Sequence, residues 1–100
     1  MRKILLLVTL LGAPTVWAVT DCSKARSSVE KMLCSSQRAA EADQKMALAF
    51  RRAFARTANR DQLIGEQKIW QASERDLCAD VACLLKVYEQ RIGDLEDLRR

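Results

Sequence analysis

The chain has 100 residues, of which 17 are basic and 13 are acidic, and it contains no histidine. This length accommodates a single domain, and a formal net charge of +4 falls short of the basic excess typical of nucleic-acid binders. Since histidine is the commonest general base in enzymes, its absence argues against enzymatic catalysis.

The N-terminus is organised like a signal peptide. An apolar stretch at 4–13 follows two basic residues, and the residues at 16–18, Val-Trp-Ala, form a signal-peptidase site. The apolar stretch is too short to span a bilayer core of roughly 30 Å as a permanent helix. We therefore predict a signal peptide at 1–18 and a single domain at 19–100, with an uncleaved N-terminal anchor as the alternative.

Cleavage of this leader predicts an exported bacterial protein, periplasmic or secreted, that keeps no stable membrane anchor. Its intact mass should match a chain that begins at Val19 and carries 15 basic and 13 acidic residues, a net charge of +2. Asp21 directly precedes Cys22, where lipid attachment would require a small residue. A retained leader or a lipid adduct on Cys22 would contradict this prediction.

The rest of the chain predicts an all-α fold, a small antiparallel bundle of one short and three longer helices. Strong helix formers dominate it, and no segment shows sustained alternation of polar and apolar residues. Ser27 and Glu30 have the spacing of a capping box at the start of the short helix, which should end near Cys34. The second helix is predicted to begin after Ser36 and to end near Asn59.

The two C-terminal helices are predicted over about 61–77 and from Asp80 onwards, where the Asp80 side chain caps the last helix. Apolar residues repeat at helical spacing and form a stripe along each of the three longer helices. In the third helix this stripe extends to Leu77. The stripes place Phe50, Trp70 and Tyr88 in the structural core. Short connections predict antiparallel neighbours.

Charge is unevenly distributed between neighbouring segments. Residues 35–60 carry a net charge of +4, and residues 61–80 carry a net charge of −3. On the polar side of the second helix, Arg51, Arg52 and Arg56 are the candidate partner-binding residues. The phenylalanines among them belong to the apolar stripe and are predicted to be buried, which argues against stacking on bases and against a nucleic-acid partner.

All four cysteines are expected to form disulfide bonds, because an even number of cysteines in a short exported chain is typical of a disulfide framework. The alternative is a zinc site, whose ligands usually pair with about two to four residues between them. Cys22 and Cys34 have 11 residues between them, and histidine is absent. We therefore predict no metal, no cofactor and, without any recognisable catalytic motif, no catalytic residue.

The expected helix arrangement also suggests how the cysteines pair. Antiparallel second and third helices would place Cys34 beside Cys78, and Cys22 and Cys83 would then lie outside that pair. This predicts nested disulfides, Cys34–Cys78 and Cys22–Cys83. The alternative is two local links, Cys22–Cys34 and Cys78–Cys83.

A pattern of cysteines and of particular apolar, polar and charged residues extends at defined intervals through nearly the whole predicted mature chain. In chain order these residues are Cys22, Ala25, Glu30, Leu33, Cys34, Ala39, Ala42, Asp43, Met46, Phe50, Gln67, Trp70, Cys78, Cys83, Leu84, Tyr88, Arg91 and Leu95. This pattern resembles the LprI-type lysozyme-inhibitor family. It departs from the family at Ala39 and Ala42, where larger apolar residues are usual, and at Glu74, where the family has an arginine that here follows at Arg75.

The resemblance implies a stoichiometric inhibitor of a lysozyme-type muramidase that performs no chemistry of its own. An arginine of the second helix would pair with the catalytic carboxylates of the muramidase cleft, and the acidic segment 61–80 would attract a basic enzyme over longer distances. The alternative is a non-inhibitory envelope protein, a structural or interaction module. A contiguous exposed apolar patch would favour that alternative.

Overall fold

The computed structural model describes residues 22–98, and the predicted signal-peptide cleavage site lies outside them. This part of the chain is helical and contains no strand, which confirms the predicted all-α fold. Its four α-helices are α1 (Ser28–Ser35), α2 (Gln37–Arg56), α3 (Arg60–Ser73) and α4 (Val81–Glu96). Two short 3-10 helices, Cys22–Lys24 and Arg75–Leu77, precede α1 and follow α3.

Side-chain caps define where the first two helices begin. The Ser27 hydroxyl accepts a hydrogen bond from the backbone N–H of Glu30 (3.1 Å), and the Glu30 carboxylate accepts from the backbone N–H of Arg26 (2.8 Å) and Ser27 (3.1 Å). These backbone hydrogen bonds, first that of Arg26, hold the pKa of Glu30 below its usual value. Ser36 has extended backbone angles and its hydroxyl caps α2, so α1 and α2 are separate helices that meet at this residue.

The later helices begin at equivalent caps. The side chain of Asn59 accepts a hydrogen bond from the backbone N–H of Gln62, and that of Asp80 accepts from the backbone N–H of Cys83 (2.8 Å). Both residues belong to the group that prefers the N-cap, because a short side-chain oxygen can reach the free amides of the first turn.

Helices α2 and α3 are antiparallel, as the short connection between them requires. Close to the connection the Arg60 Nε donates to the Phe54 carbonyl oxygen (3.1 Å). Farther from it the Gln67 Nε2 lies 3.0 Å from the Met46 sulfur. Residues later in α3 therefore contact residues earlier in α2, as in an antiparallel pair.

Helix α4 runs parallel to α2, which is its main packing partner, and it contacts α3 through the Tyr88–Trp70 ring pair and the Arg91–Gln67 hydrogen bond. The Tyr88 hydroxyl donates to the Asp43 carboxylate (2.8 Å), and Arg91, one turn later, reaches Gln67 beside Met46. Helices α2, α3 and α4 thus form a three-helix bundle. Helix α1 packs on α2 and on the 3-10 helix Arg75–Leu77 at one end of it.

The buried core lies where these helices meet. Its apolar members are Val29, Leu33, Ala39, Met46, Ala49, Ala53, Leu63, Trp70, Cys78, Leu84, Val87, Tyr88 and Leu95. Of the three residues predicted to be structural, Tyr88 and Trp70 are buried, whereas Phe50 is only partly buried against the cluster.

The third helix ends earlier than its sequence pattern indicates. Helix α3 stops at Ser73, and the chain then forms the 3-10 helix Arg75–Leu77. Because the change of helix type rotates the following side chains, Leu77 is 74% exposed instead of buried, which corrects the prediction that the apolar stripe extends this far.

The structure confirms two disulfide bonds but corrects the predicted nested pairing. They are the local links Cys22–Cys34, with Cα atoms 5.7 Å apart, and Cys78–Cys83, with Cα atoms 5.5 Å apart. Cys34 lies in α1, ahead of the bend at Ser36, and therefore does not continue the line of α2 towards Cys78. The turn capped by Asp80 instead brings Cys83 back to Cys78.

Non-reducing peptide mapping should recover these local links. Trypsin leaves Cys78 and Cys83 together in one peptide, 76–86, which should carry an internal disulfide and no partner peptide. Replacing both by serine is expected to cost about 2 kcal/mol for the lost short loop, and more because Cys78 is buried in the core. A tryptic peptide that joins Cys34 to Cys78 would contradict the pairing.

Candidate functional site

The most distinctive surface of the bundle is a line of basic side chains on α2. Arg38, Lys45, Arg52 and Arg56 are spaced by seven, seven and four residues, so they share one side of the helix. All four are exposed. At 1.5 Å per residue this basic stripe extends for about 27 Å.

The structure brings together two of the three predicted partner-binding residues. Arg52 and Arg56 lie one turn apart within the basic stripe, and within residues 22–98 neither forms a hydrogen bond or an ion pair. Arg51 is also exposed, but one residue corresponds to a rotation of about 100° around a helix, so Arg51 lies on a different side of α2.

The basic segment at the end of α2 also contains two aromatic rings. Phe50 and Phe54 stack with centroids 6.0 Å apart and pack against the core. The guanidinium of Arg60 lies over the Phe54 ring at 4.8 Å and donates to the Phe54 carbonyl oxygen. These rings are therefore already engaged in intramolecular contacts, but both are only partly buried, which corrects the prediction that they are buried.

A groove of about 370 Å³ runs between α2 and α4, beside the N-terminal half of the basic stripe. Its lining residues are Arg38, Glu41, Ala42, Lys45, Leu85, Tyr88, Glu89 and Ile92. The groove has an apolar floor and charged edges, and helical spacing alone does not reveal it because it forms between two helices that are distant in sequence. One lining residue is Ala42, whose side chain is a single methyl group and which is one of the three departures from the pattern of the LprI-type family.

A polar junction on the other side of α2 joins several elements. The Tyr88 hydroxyl donates to the Asp43 carboxylate (2.8 Å), and the Arg75 guanidinium pairs with Asp76 (2.9 Å). Burial, followed by the nearby Asp43 charge, raises the pKa of the Tyr88 hydroxyl well above its usual value, and the Arg75 charge opposes this rise. Arg75 thus lies close enough to Tyr88 to influence its ionisation.

An arginine of α4 is buried inside the bundle. Arg91 is 8% exposed, its Nε donates to the Gln67 side-chain oxygen (2.9 Å), and its guanidinium carbon lies 6.0 Å from the Trp70 ring centroid. Its Nη2 is buried and makes no hydrogen bond within residues 22–98. Burial lowers the pKa of Arg91, and the nearby negative charges of Asp94 and Glu66 partly offset this decrease.

The spacing of buried residues in α4 accounts for this burial. Arg91 lies three residues after Tyr88 and four before Leu95, and both of these residues are completely buried. Helical spacing alone therefore places Arg91 on the inner side of α4. Residue type alone indicates the opposite, because arginine is rarely buried.

Over residues 22–98 the structure holds no group of three or more histidine, cysteine, aspartate or glutamate side chains arranged to bind a metal ion. No helix in the same range is long and apolar enough to cross a membrane.

Comparison of the chain with protein-family models, with curated proteins and with solved structures gives no match. The resemblance to the LprI-type family rests on the sequence pattern alone.

Proposed function

We propose that this protein is an exported, stoichiometric inhibitor of a lysozyme-type muramidase that acts by binding and performs no chemistry of its own. The resemblance to the LprI-type family motivates the proposal. The structural observation that carries it is the pair Arg52 and Arg56, exposed on a rigid helix and not engaged by other side chains within residues 22–98.

The spacing of these two arginines suits a cleft with two carboxylates. Side chains four residues apart on a helix have Cβ atoms about 5–6 Å apart, and the two catalytic carboxyl groups of a retaining glycosidase are about 5–5.5 Å apart. Each guanidinium can form two parallel hydrogen bonds with a carboxylate. Two such pairs would neutralise the general acid and the nucleophile and would block access of the polysaccharide.

Acidic side chains elsewhere on the surface support the encounter with a basic enzyme. Segment 61–80 exposes five carboxylates, those of Asp61, Glu66, Glu74, Asp76 and Asp80. A patch of this sign accelerates association with a positively charged partner, and the effect decreases as salt is added. The basic stripe would then act only at short range, within the cleft.

An oxidising compartment is consistent with this role. Both disulfide bonds join cysteines that are close in sequence, and bonds of this kind persist in the periplasm or outside the cell. They attach the N-terminal segment to α1 and fix the turn before α4. Export by the predicted leader would deliver the protein to the compartment in which a muramidase acts on peptidoglycan.

The test is inhibition of peptidoglycan lysis by the oxidised protein and by the double variant Arg52→Ala with Arg56→Ala. Removing arginines that pair with buried carboxylates is expected to cost about 2–5 kcal/mol of binding free energy. The control is Lys68→Ala, which removes one exposed positive charge from α3 and should leave inhibition unchanged. Circular dichroism should show the same helical fold for all variants.

Two outcomes would decide against parts of this proposal. Undiminished lysis by several lysozyme classes, with no complex detected by calorimetry, would remove the inhibitory function. Inhibition that survives alanine at Arg51, Arg52 and Arg56 together would retain the function but remove the basic interface, and the carboxylates around Glu66 and Asp76 would be substituted next.

The second candidate function is a non-inhibitory envelope module that binds other proteins. Its supporting observation is the exposure of two large apolar side chains, Leu77 at 74% and Ile69 at 67%. Replacing both by serine should abolish the binding of an envelope partner under this hypothesis. The same change should not affect muramidase inhibition through Arg52 and Arg56.

A further inference from the structure

The groove between α2 and α4 has the dimensions of a helix-binding surface. Along α2 it extends from Arg38 to Lys45, and along α4 from Leu85 to Ile92. Each span is seven residues, or two helical turns of about 10 Å in all. A helix that presents apolar side chains at i, i+3 or i+4, and i+7 covers the same length.

The floor of the groove is apolar and only partly covered. Ala42, Leu85 and Ile92 are partly buried, and the completely buried Tyr88 side chain closes the bottom. Because residue 42 is an alanine, its short side chain leaves space above the floor. The three partly buried side chains form a surface against which a row of apolar side chains on a partner helix can pack. The buried Tyr88 side chain supports this surface from below.

The two edges of the groove carry opposite charges that do not neutralise each other. Arg38 and Lys45 stand on the α2 edge together with Glu41, which leaves this edge a net positive charge, and Glu89 stands on the α4 edge. Within residues 22–98 neither the two basic residues nor Glu89 forms a hydrogen bond or an ion pair, whereas Glu41 is held by the Gln37 side chain (3.0 Å). The parallel packing that sets Asp43 beside Tyr88 places Lys45 at about the level of Glu89, on the opposite side of the groove.

We propose that this groove is the docking site for an amphipathic helix of a partner protein, whose apolar ridge is flanked by acidic residues on one side and basic residues on the other. The acidic flank pairs with the α2 edge, the basic flank pairs with Glu89, and the ridge covers Ala42, Leu85 and Ile92. A second copy of this chain fits less well, because two concave grooves facing each other leave the space between them unfilled. This docking site does not depend on the proposed inhibition of a muramidase.

The probe for this proposal is a synthetic helical peptide of about 20 residues, long enough to form an isolated helix. It carries a leucine ridge with glutamates on one flank and lysines on the other. Fluorescence anisotropy of the labelled peptide with the oxidised protein should show saturable binding. Peptides with the same ridge but with only lysine or only glutamate on both flanks should bind about tenfold more weakly, because one edge then faces its own charge.

Two protein variants locate the peptide in the groove. Ala42→Leu fills the space above the floor and should weaken binding about tenfold or more, whereas Ala55→Leu, the same change at an exposed position of α2 outside the lining, should bind like the wild type. Glu89→Lys makes both edges basic, so the peptide with glutamate on both flanks should become the preferred ligand. Glu89 is exposed, and this variant is expected to keep its fold.

Several results would overturn the proposal. They are the absence of saturable binding, equal binding by the Ala42→Leu and Ala55→Leu variants, and an unchanged order of peptide affinities in Glu89→Lys. Sedimentation of the wild type as a dimer that Ala42→Leu dissociates would assign the groove to a second copy instead. Loss of muramidase inhibition in the Arg52 and Arg56 double variant, with peptide binding retained, would show that the two sites are separate.

Discussion

Replacing Trp70 by alanine is expected to lower the free energy of unfolding by about 3–5 kcal/mol, the usual cost of deleting a large buried aromatic side chain. Trp70 is 8% exposed, its ring lies 5.6 Å from that of Tyr88, and the Arg91 guanidinium lies nearby. The substitution opens a cavity at the point where α3 meets α4. Since domains of this kind have a total stability of about 5–15 kcal/mol, the substitution would remove a large fraction of it.

Urea unfolding followed by circular dichroism measures this loss without relying on tryptophan fluorescence. The matched control is Ile69→Ala, on the adjacent position of α3, which is 67% exposed and should change the stability by about 0.5 kcal/mol or less. Trp70→Phe, which keeps an aromatic ring, should lie between the two. A Trp70→Ala variant as stable as Ile69→Ala would show that the tryptophan is not a core residue.

The second large effect is expected at alkaline pH, through the single tyrosine of the chain. Tyr88 is completely buried and donates a hydrogen bond to Asp43, and burial together with the Asp43 charge raises the pKa of its hydroxyl above that of an unfolded chain. The folded state therefore favours neutral Tyr88. Its contribution to stability is fully present below about pH 10 and is lost as the pH rises through and beyond that value.

Ultraviolet absorbance of tyrosinate reports this ionisation for Tyr88 alone. The absorbance should appear together with loss of helical circular dichroism, because the hydroxyl ionises when the chain unfolds. In Asp43→Asn the nearby negative charge is removed, so the titration should move to lower pH. A Tyr88 that titrates like free tyrosine in a fully folded chain would contradict this assignment.

Tyr88→Phe separates the hydrogen bond from the ring packing. The variant keeps the aromatic contact with Trp70 but leaves Asp43, which is partly buried, without the hydroxyl donor. A hydrogen bond to a charged group contributes about 1.5–3 kcal/mol, and a loss of this size is expected at neutral pH. Between neutral and alkaline pH, the free energy of unfolding of the variant should also decrease less than that of the wild type. Any contribution of the lysines to this decrease is the same in both proteins.

The positions of the helices could be predicted from the sequence because the interactions that define them are local. The capping box of Ser27 and Glu30 and the N-cap at Asp80 each depend on groups within three residues. The buried residues of α2, Ala39, Met46, Ala49 and Ala53, likewise follow helical spacing along one side, because this helix remains regular over its whole length. The prediction for α3 was wrong after Ser73, where a change to 3-10 geometry altered the direction of the side chains.

The disulfide pairing shows why a correct helix arrangement was not sufficient. Antiparallel α2 and α3 do place Cys34 and Cys78 at the same end of the bundle. All four cysteines lie at this end, however, so the helix arrangement does not select a pairing. The bend at Ser36 and the turn at Asp80 decide which sulfur atoms come within bonding distance, and both select the nearest cysteine in the chain. Such bends change the direction of the chain by amounts that spacing alone does not specify.

By itself, the sequence determined the helical class, three of the caps, the presence of two disulfide bonds and the exposed arginines of α2, since all of these follow from composition and from spacing within one or two turns. Only the tertiary structure decided that α2 and α4 run side by side, that Ala42 opens a groove between their oppositely charged edges, and that Arg91 and Gln67 enter the core. These features depend on contacts between residues more than 20 positions apart in the sequence. Such contacts are determined by how the three helices pack against one another.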